Sequence, residues 1–278
     1  MADRQIGIGK SARRGYALDE VSIVPSRRTR DADEVDSTWQ IDAFTFDVPL
    51  ALAGPDPVEG ALNVVDIERF VVADGSVDLG AVREAMERAS NGGPSAVSVR
   101  PQRALDVLGD LRRLDPDLVV IAGRVVSAEH VAKSREPLNL KRTVRELEMP
   151  VIVGACSSYQ AALHLMRTGA AGVLIGGDPR SSGVGVPLAT AIADARGARM
   201  QHLDETGVYA HLIAAGTIRT GGDVARAVVC GADAVWLSAD DARVDSVPAI
   251  VADLRRSMAT CGYDSLKEFQ TADLVVVR

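Results

Sequence analysis

The sequence predicts an α/β protein built as a (β/α)8 barrel, and three observations carry the prediction. Short runs of Val, Ile, Leu and Ala recur between amphipathic stretches, the pattern of a parallel sheet with crossover helices. Eight such runs occur, the number that closes a barrel. The chain has 278 residues, 47% hydrophobic and 25% charged. That length suits a single barrel domain over 1–278 and excludes a disordered chain, a collagen-like fibre or a disulfide miniprotein.

Taken in order, residues 1–47 form an N-terminal arm of mixed charge. Arg13, Arg14, Arg27, Arg28 and Arg30 alternate with Asp19, Glu20, Asp31, Asp33 and Glu34. The arm is expected to pack on the barrel floor, its charges reading as a solvated face rather than a phosphate-binding patch. Strands follow at 48–53 and 61–65. The seven residues between them, with Gly54, Pro55, Pro57 and Gly60, are too few for a crossover helix, so the barrel should be defective there, its first helix missing. A helix over 79–90 starts at Asp78 and carries Val82, Met86 and Ala89 on one stripe. Then come a strand at 95–100, a helix at 101–114, a strand at 118–123 and a helix at 139–148. The strand 151–156 leads to a helix at 157–168, begun by Ser157-Ser158 and stopped by Gly169. The strand 171–176, the helix 187–203, the strand 209–215 and the helix 221–230, stopped by Gly231, precede the strand 234–239 and the last helix at 246–261. That is seven helices for eight strands.

Composition narrows function. Thirty-eight acids against 31 bases give a net charge of −7, which argues against nucleic acid and anionic membrane as partners. The three cysteines, Cys156, Cys230 and Cys261, are widely spaced, with no CxxC pair or Cys/His cluster, so no metal site is expected and a reducing, cytoplasmic setting is. The N-terminus lacks the basic and apolar regions of a signal peptide, and no apolar run approaches a membrane span. Gly7-Ile8-Gly9-Lys10-Ser11 lacks the full spacing of a phosphate loop. No lysine ends a strand, which removes an obvious Schiff-base nucleophile. His164 reads as a helix-surface or packing residue, and His211 begins a strand, at the end of a barrel where chemistry is not expected.

Several blocks resemble the IMP dehydrogenase/GMP reductase family, specifically its branch without the inserted CBS domain pair. They are residues 6–30 (IGIGKSARRGYALDEVSIVPSRRTR), which contain a Y-x-L-D-x-V-x-I-V-P opening, residues 136–176, residues 186–199 (VPLATAIADARGAR) and residues 254–270 (LRRSMATCGYDSLKEFQ). The blocks are collinear over almost the whole chain. The resemblance implies a (β/α)8 barrel that oxidises IMP with NAD or reductively deaminates GMP with NADPH. In such enzymes a loop cysteine bonds the purine C2, because attack by a thiolate makes the adduct from which hydride leaves or to which it is delivered.

Measured against that pattern, the sequence departs at the chemistry. The family places the cysteine after the sixth strand in G-x-G-x-x-C-x-T; here Gly176 to Pro187 contains none and is shortened. The resemblance places the carbonyls that shape the relatives' monovalent-cation site on the same loop, so the departure bears on that site as well. Cys156 closes the fifth strand and reads first as a small buried hydrophobe, with a reactive thiol as the lesser alternative; Cys230 and Cys261 read as packing residues. After the seventh strand the family has A-D-G-G, in which the Asp holds the ribose hydroxyls. Ala215 stands in its place and Thr217 replaces the second glycine, so sugar recognition should be weak. Gly216, Thr217, Gly222 and Ser238 remain as an expected substrate-phosphate cradle, the alternative being that the glycines serve turn and packing needs. Asp240 and Asp241 would repel a dianion unless they point away. The flap that supplies a water-activating Arg and Tyr is reduced to a short loop from Asp240 to Val247.

Asp204-Glu205-Thr206-Gly207 resembles the family's D-E-S/T-G turn; Glu205 is read as a turn and capping residue in preference to a substrate or subunit contact. The expected function is therefore that of a catalytically impaired paralogue. It would bind a purine nucleotide such as IMP or GMP weakly, and form a homo-oligomer or associate with an intact family member. The alternative is an active IMP dehydrogenase or GMP reductase with NAD or NADP as cofactor.

Overall fold

A computed structural model describes residues 4–54, 56–124, 126–131, 136–177, 182–238 and 246–277, with only the backbone of His130 and Ser238. Its centre is a closed barrel of eight parallel strands: β1 (Leu50–Ala53), β2 (Leu62–Asp66), β3 (Ala96–Val99), β4 (Leu118–Ala122), β5 (Val151–Cys156), β6 (Gly172–Gly176), β7 (His211–Ala215) and β8 (Ala234–Ser238). They follow one another around the barrel in chain order, β8 pairing with β1. Every predicted strand is present, shifted at its ends by two residues at most. A strand packed on both faces reads as a continuous apolar run, and Leu50, Leu62, Leu118, Ile121 and Ile152 are fully buried.

The helices among the described residues are α1 (Leu79–Ser90), α2 (Leu108–Leu114), α3 (Leu140–Leu147), α4 (Tyr159–Met166), α5 (Leu188–Thr206), α6 (Gly221–Cys230), α7 (Val247–Cys261) and the short α8 (Leu266–Phe269). Asp78 caps α1 through a bond from the Ala81 N–H of 3.0 Å, and Ser158 caps α4 through Ala161, as the start signals predict. Gly169 (φ +92°) and Gly231 (φ +125°) sit at positive φ where stops were expected. One boundary differs by more than three residues. Residues 101–107 are turns, and α2 proper begins only after Val107, whose φ of −107° and ψ of 8° leave the helical region.

The first crossover corrects an expectation. Among the described residues no helix lies between β1 and β2, yet the two strands pair in register, Ala51 with Leu62 and Ala53 with Val64, and the barrel closes without a defect. The dozen-residue minimum belongs to crossovers that carry a helix. An extended chain of eight residues (54–61) reaches roughly 26 Å, whereas the return along a four-residue strand needs about 13 Å. Asn63, buried on β2, fastens this connector. Its Oδ1 accepts from the Val58 N–H (2.9 Å), and its Nδ2 donates to the carbonyls of Val58 (2.9 Å) and Ala61 (3.2 Å). Asn63→Ala orphans these groups and is expected to cost about 2 kcal/mol, read as a lower urea midpoint with unchanged slope.

The arm does close the floor, but only with its last part. The hairpin Trp39–Ile41/Phe44–Phe46 stacks Trp39 on Phe46 at 5.2 Å and buries Ile41 completely beneath the N-terminal ends of β5 to β7. Its earlier part starts at the opposite end. Gly15 lies against Pro187, and Tyr16 exchanges bonds with Thr190 at the top of α5. The chain then descends, Val21–Ile23 pairing with the C-terminal strand Leu274–Val276. Four of the arm's cations make surface ion pairs, Arg13 with Asp194, Arg14 with Glu20, Arg27 with Glu268 and Arg30 with Asp264. That is the solvated charged face the sequence suggested.

Candidate functional site

Barrel chemistry belongs to the C-terminal ends of the strands, so the mouth is built from the residues that close β5 to β8. Gly176 ends β6 opposite Ala215 at the end of β7. Gly216 and Thr217 follow, both exposed at the rim, while Ile218 turns inward and donates its N–H to the Gly216 carbonyl (2.9 Å). Thr220 then caps α6, its Oγ1 accepting from the Asp223 N–H at 3.1 Å. The cap is reciprocal: the Asp223 carboxylate accepts from the N–H groups of Arg219 (3.0 Å) and Thr220 (3.1 Å) and from Arg226 Nη2 (2.7 Å). Burial pushes the Asp223 carboxyl up, and these bonds more than offset it, so its pKa is held below the ordinary value.

An anion at this helix end therefore meets an ionised carboxylate, a feature the sequence reading missed although Thr220-Gly-Gly-Asp223 is a legible capping box. The two glycines differ in what fixes them. A Cβ on Gly221 would lie 2.4 Å from the Asp253 Cβ and 2.5 Å from the Ile250 carbonyl, so glycine there packs α6 on α7. A Cβ on Gly222 would meet nothing closer than 3.7 Å. Packing alone does not require Gly222. Ser238 ends β8, the strand paired with β7, its side chain outside the described residues. The same holds for residues 178–181 of the expected nucleophile loop and for 239–245 of the shortened flap, Asp240 and Asp241 included.

Cys156 closes β5 at the mouth but is buried. Burial pushes its thiol up to about 12, only partly countered by a bond at Ser158. A thiolate is the reactive form, and this environment disfavours it. The native protein is expected to resist alkylation at Cys156 at about pH 8 and to label after unfolding, with peptide mass spectrometry as the readout. Cys230, likewise pushed up to about 12, and Cys261 are also buried packing residues. Among the described residues no group of three His, Cys, Asp or Glu could hold a metal ion, and no helix is long and apolar enough to cross a membrane.

The remaining sequence candidates lie away from the mouth. His164 is exposed on α4. Glu205 ends α5 at the floor, gripped by Arg167 (2.7 Å to Oε2) and Gln201 (2.7 Å) just before Gly207 turns the chain at φ +71°. This is the turn and helix-end role. His211 starts β7 on the floor beside Asp233, at 4.0 Å.

The comparison with known proteins agrees with the barrel fold. A family model described as the IMP dehydrogenase/GMP reductase domain matches residues 81–249. An uncharacterized oxidoreductase of Mycolicibacterium smegmatis is 35% identical, over 98% of this chain and 99% of its own. An IMP dehydrogenase of Methanocaldococcus jannaschii is 33% identical over 133 residues, 44% of this chain and 26% of its own. The first alignment runs over 373 positions for a chain of 278 residues, so at least 95 positions are gaps here. The crystal structure of an IMP dehydrogenase/GMP reductase-like protein from Corynebacterium glutamicum superposes with a TM-score of 0.85 at 34% identity, over 99% of this chain and 97% of that one. With the same barrel, a relative matched from end to end and a family model over more than half its length, the chain belongs to the IMP dehydrogenase/GMP reductase family.

Proposed function

We propose that this protein is a family barrel that has lost the family's oxidoreductase chemistry and works as a single-domain paralogue that binds a purine nucleotide or phosphate and associates with copies of itself or an intact relative. One observation carries the reading: its three cysteines are all buried, and the one that reaches the mouth, Cys156, sits where burial keeps it a thiol. Without a thiolate no adduct forms at the purine C2, and a nicotinamide has no adduct to take hydride from or give it to. The described mouth thus does not fit NAD or NADP as a reacting cofactor.

Binding has more support than catalysis. Gly216 and Thr217 present exposed backbone and a hydroxyl at the rim, Gly222 is half-buried, and the Gly221 and Gly222 amides carry no hydrogen bond among the described residues. Asp223 opposes an anion there, and Ala215 offers no acceptor to a ribose diol, so affinity is weak. Three unpaired cysteines suit a reducing compartment, the cytoplasm.

Thermal unfolding with inorganic phosphate, IMP, GMP, NAD and NADPH tests the proposal together with turnover assays. A ligand at ten times its Kd adds about 1.4 kcal/mol, a rise of roughly 3 to 5 °C for a chain of this size. A rise with phosphate or a nucleotide and no turnover is expected. Oxidation of IMP by NAD or reduction of GMP by NADPH, at a rate abolished by Thr217→Glu, would overturn it in favour of an active oxidoreductase.

A further inference from the structure

Among the described residues, nothing of its own chain covers the N-terminal hairpin. Its strands, Arg4–Gly7 and Lys10–Ala12, pair antiparallel and are exposed at every residue. Ile6 is 69% exposed and Ile8, at the turn, fully so. A Cβ placed on Gly7 or Gly9 would meet no atom within 4 Å, so the tip stands clear of the barrel. An isolated two-stranded hairpin is marginally stable in water, and two isoleucines at its tip are costly to leave wet.

Charge indicates what covers it. Residues 4–14 carry four cations, Arg4, Lys10, Arg13 and Arg14, and no acid, while the whole chain is −7, so the rest of it stands at −11. Arg13 and Arg14 are held by acids at the root, Asp194 and Glu20; Arg4 and Lys10, on the hairpin itself, make no ion pair among the described residues. A basic, isoleucine-tipped hairpin on an otherwise acidic chain is complementary to a second copy of that chain. The root, where Gly15 meets Pro187 and Tyr16 meets Thr190, is fixed at the C-terminal rim of the barrel, so the hairpin projects from the rim.

We infer that the hairpin of one copy docks on the acidic surface of a second copy, burying Ile6 and Ile8. In a two-fold dimer each copy gives and receives a hairpin. This rests on the self-association proposed above and names the surface that performs it.

Sedimentation velocity on the full chain tests it, across micromolar concentrations at low and high salt. The wild type is expected to form a dimer or higher oligomer that weakens as salt rises. The Ile6→Ser/Ile8→Ser double variant is expected to associate about 100-fold more weakly. Arg4→Glu/Lys10→Glu should be weaker as well and lose the salt dependence. All four residues are exposed, so each variant should keep the circular dichroism spectrum and urea midpoint of its monomeric state. A monomeric wild type would sink self-association altogether. An oligomer that survives both double variants unchanged would leave self-association standing and overturn the hairpin's part in it.

Discussion

Gly176→Ala is expected to unfold the barrel or leave it barely stable. A Cβ at Gly176 would lie 1.7 Å from the Ala215 carbonyl oxygen and 2.7 Å from its carbon. The two residues are register partners on neighbouring strands, β6 and β7, so the obstacle is backbone, with no rotamer that can swing away. Overpacking against side chains typically costs 1–3 kcal/mol because neighbours give way. Here the strands themselves must part, and a loss of at least about 3 kcal/mol is expected from a domain whose whole stability is of order 5–15 kcal/mol. Urea unfolding of Gly222→Ala is the control, since a methyl there meets nothing closer than 3.7 Å; its midpoint should stay within about 0.5 kcal/mol of wild type. A wild-type midpoint for Gly176→Ala would refute the argument. The same close approach brings the loop after β6 against the one after β7, so this glycine also sets the shape of the mouth.

How much of this was legible in the sequence depends on the range of the forces involved. The barrel strands were legible because a parallel strand is buried on both faces, and a run such as Leu118–Ala122 has no polar partner to disguise it. Helix starts at Asp78 and Ser158 were legible because a cap acts within three residues. The arm's path was not. It is fixed by contacts such as Gly15 on Pro187 and Tyr16 on Thr190, about 170 residues apart, which leave no local period. Asn63 was passed over because its partners are backbone groups of the connector, which any sequence would supply. At the mouth, the resemblance pointed to Gly216, Thr217 and Gly222, but the carboxylate of Asp223 is turned toward the helix end by hydrogen bonds that only the folded turn creates.

Asp233→Ala is expected to destabilise the protein by about 3–5 kcal/mol, the usual cost of breaking a buried ion pair from one side. Asp233 lies at the floor, before β8. One oxygen takes Arg199 Nη1 at 2.9 Å and the Leu212 N–H at 2.8 Å; the other takes the Tyr209 hydroxyl at 2.8 Å and Gln270 Nε2 at 3.1 Å. Arg199 is 4% exposed. Alanine thus strands a buried guanidinium over the Tyr209 ring and removes the acceptor of the Leu212 N–H and the Tyr209 hydroxyl, while Gln270 keeps its bond to the Ala232 carbonyl. Asp233→Asn separates charge from shape: it keeps an acceptor but still leaves Arg199 uncompensated, so most of the loss should persist. An alanine variant within about 1 kcal/mol of wild type would show that water or another acid replaces the carboxylate. The same cluster predicts a pH response. Burial holds the His211 and His202 imidazoles below their ordinary value of 6.5, although Asp233 pulls His211 and Glu205 pulls His202 the other way. The unfolded chain therefore takes up protons at these sites before the folded one does. Stability is highest above about pH 6.5 and falls as pH drops through the lower folded values. His211→Gln should flatten that decline in the urea midpoint, and an unchanged profile would mean that His211 carries none of it.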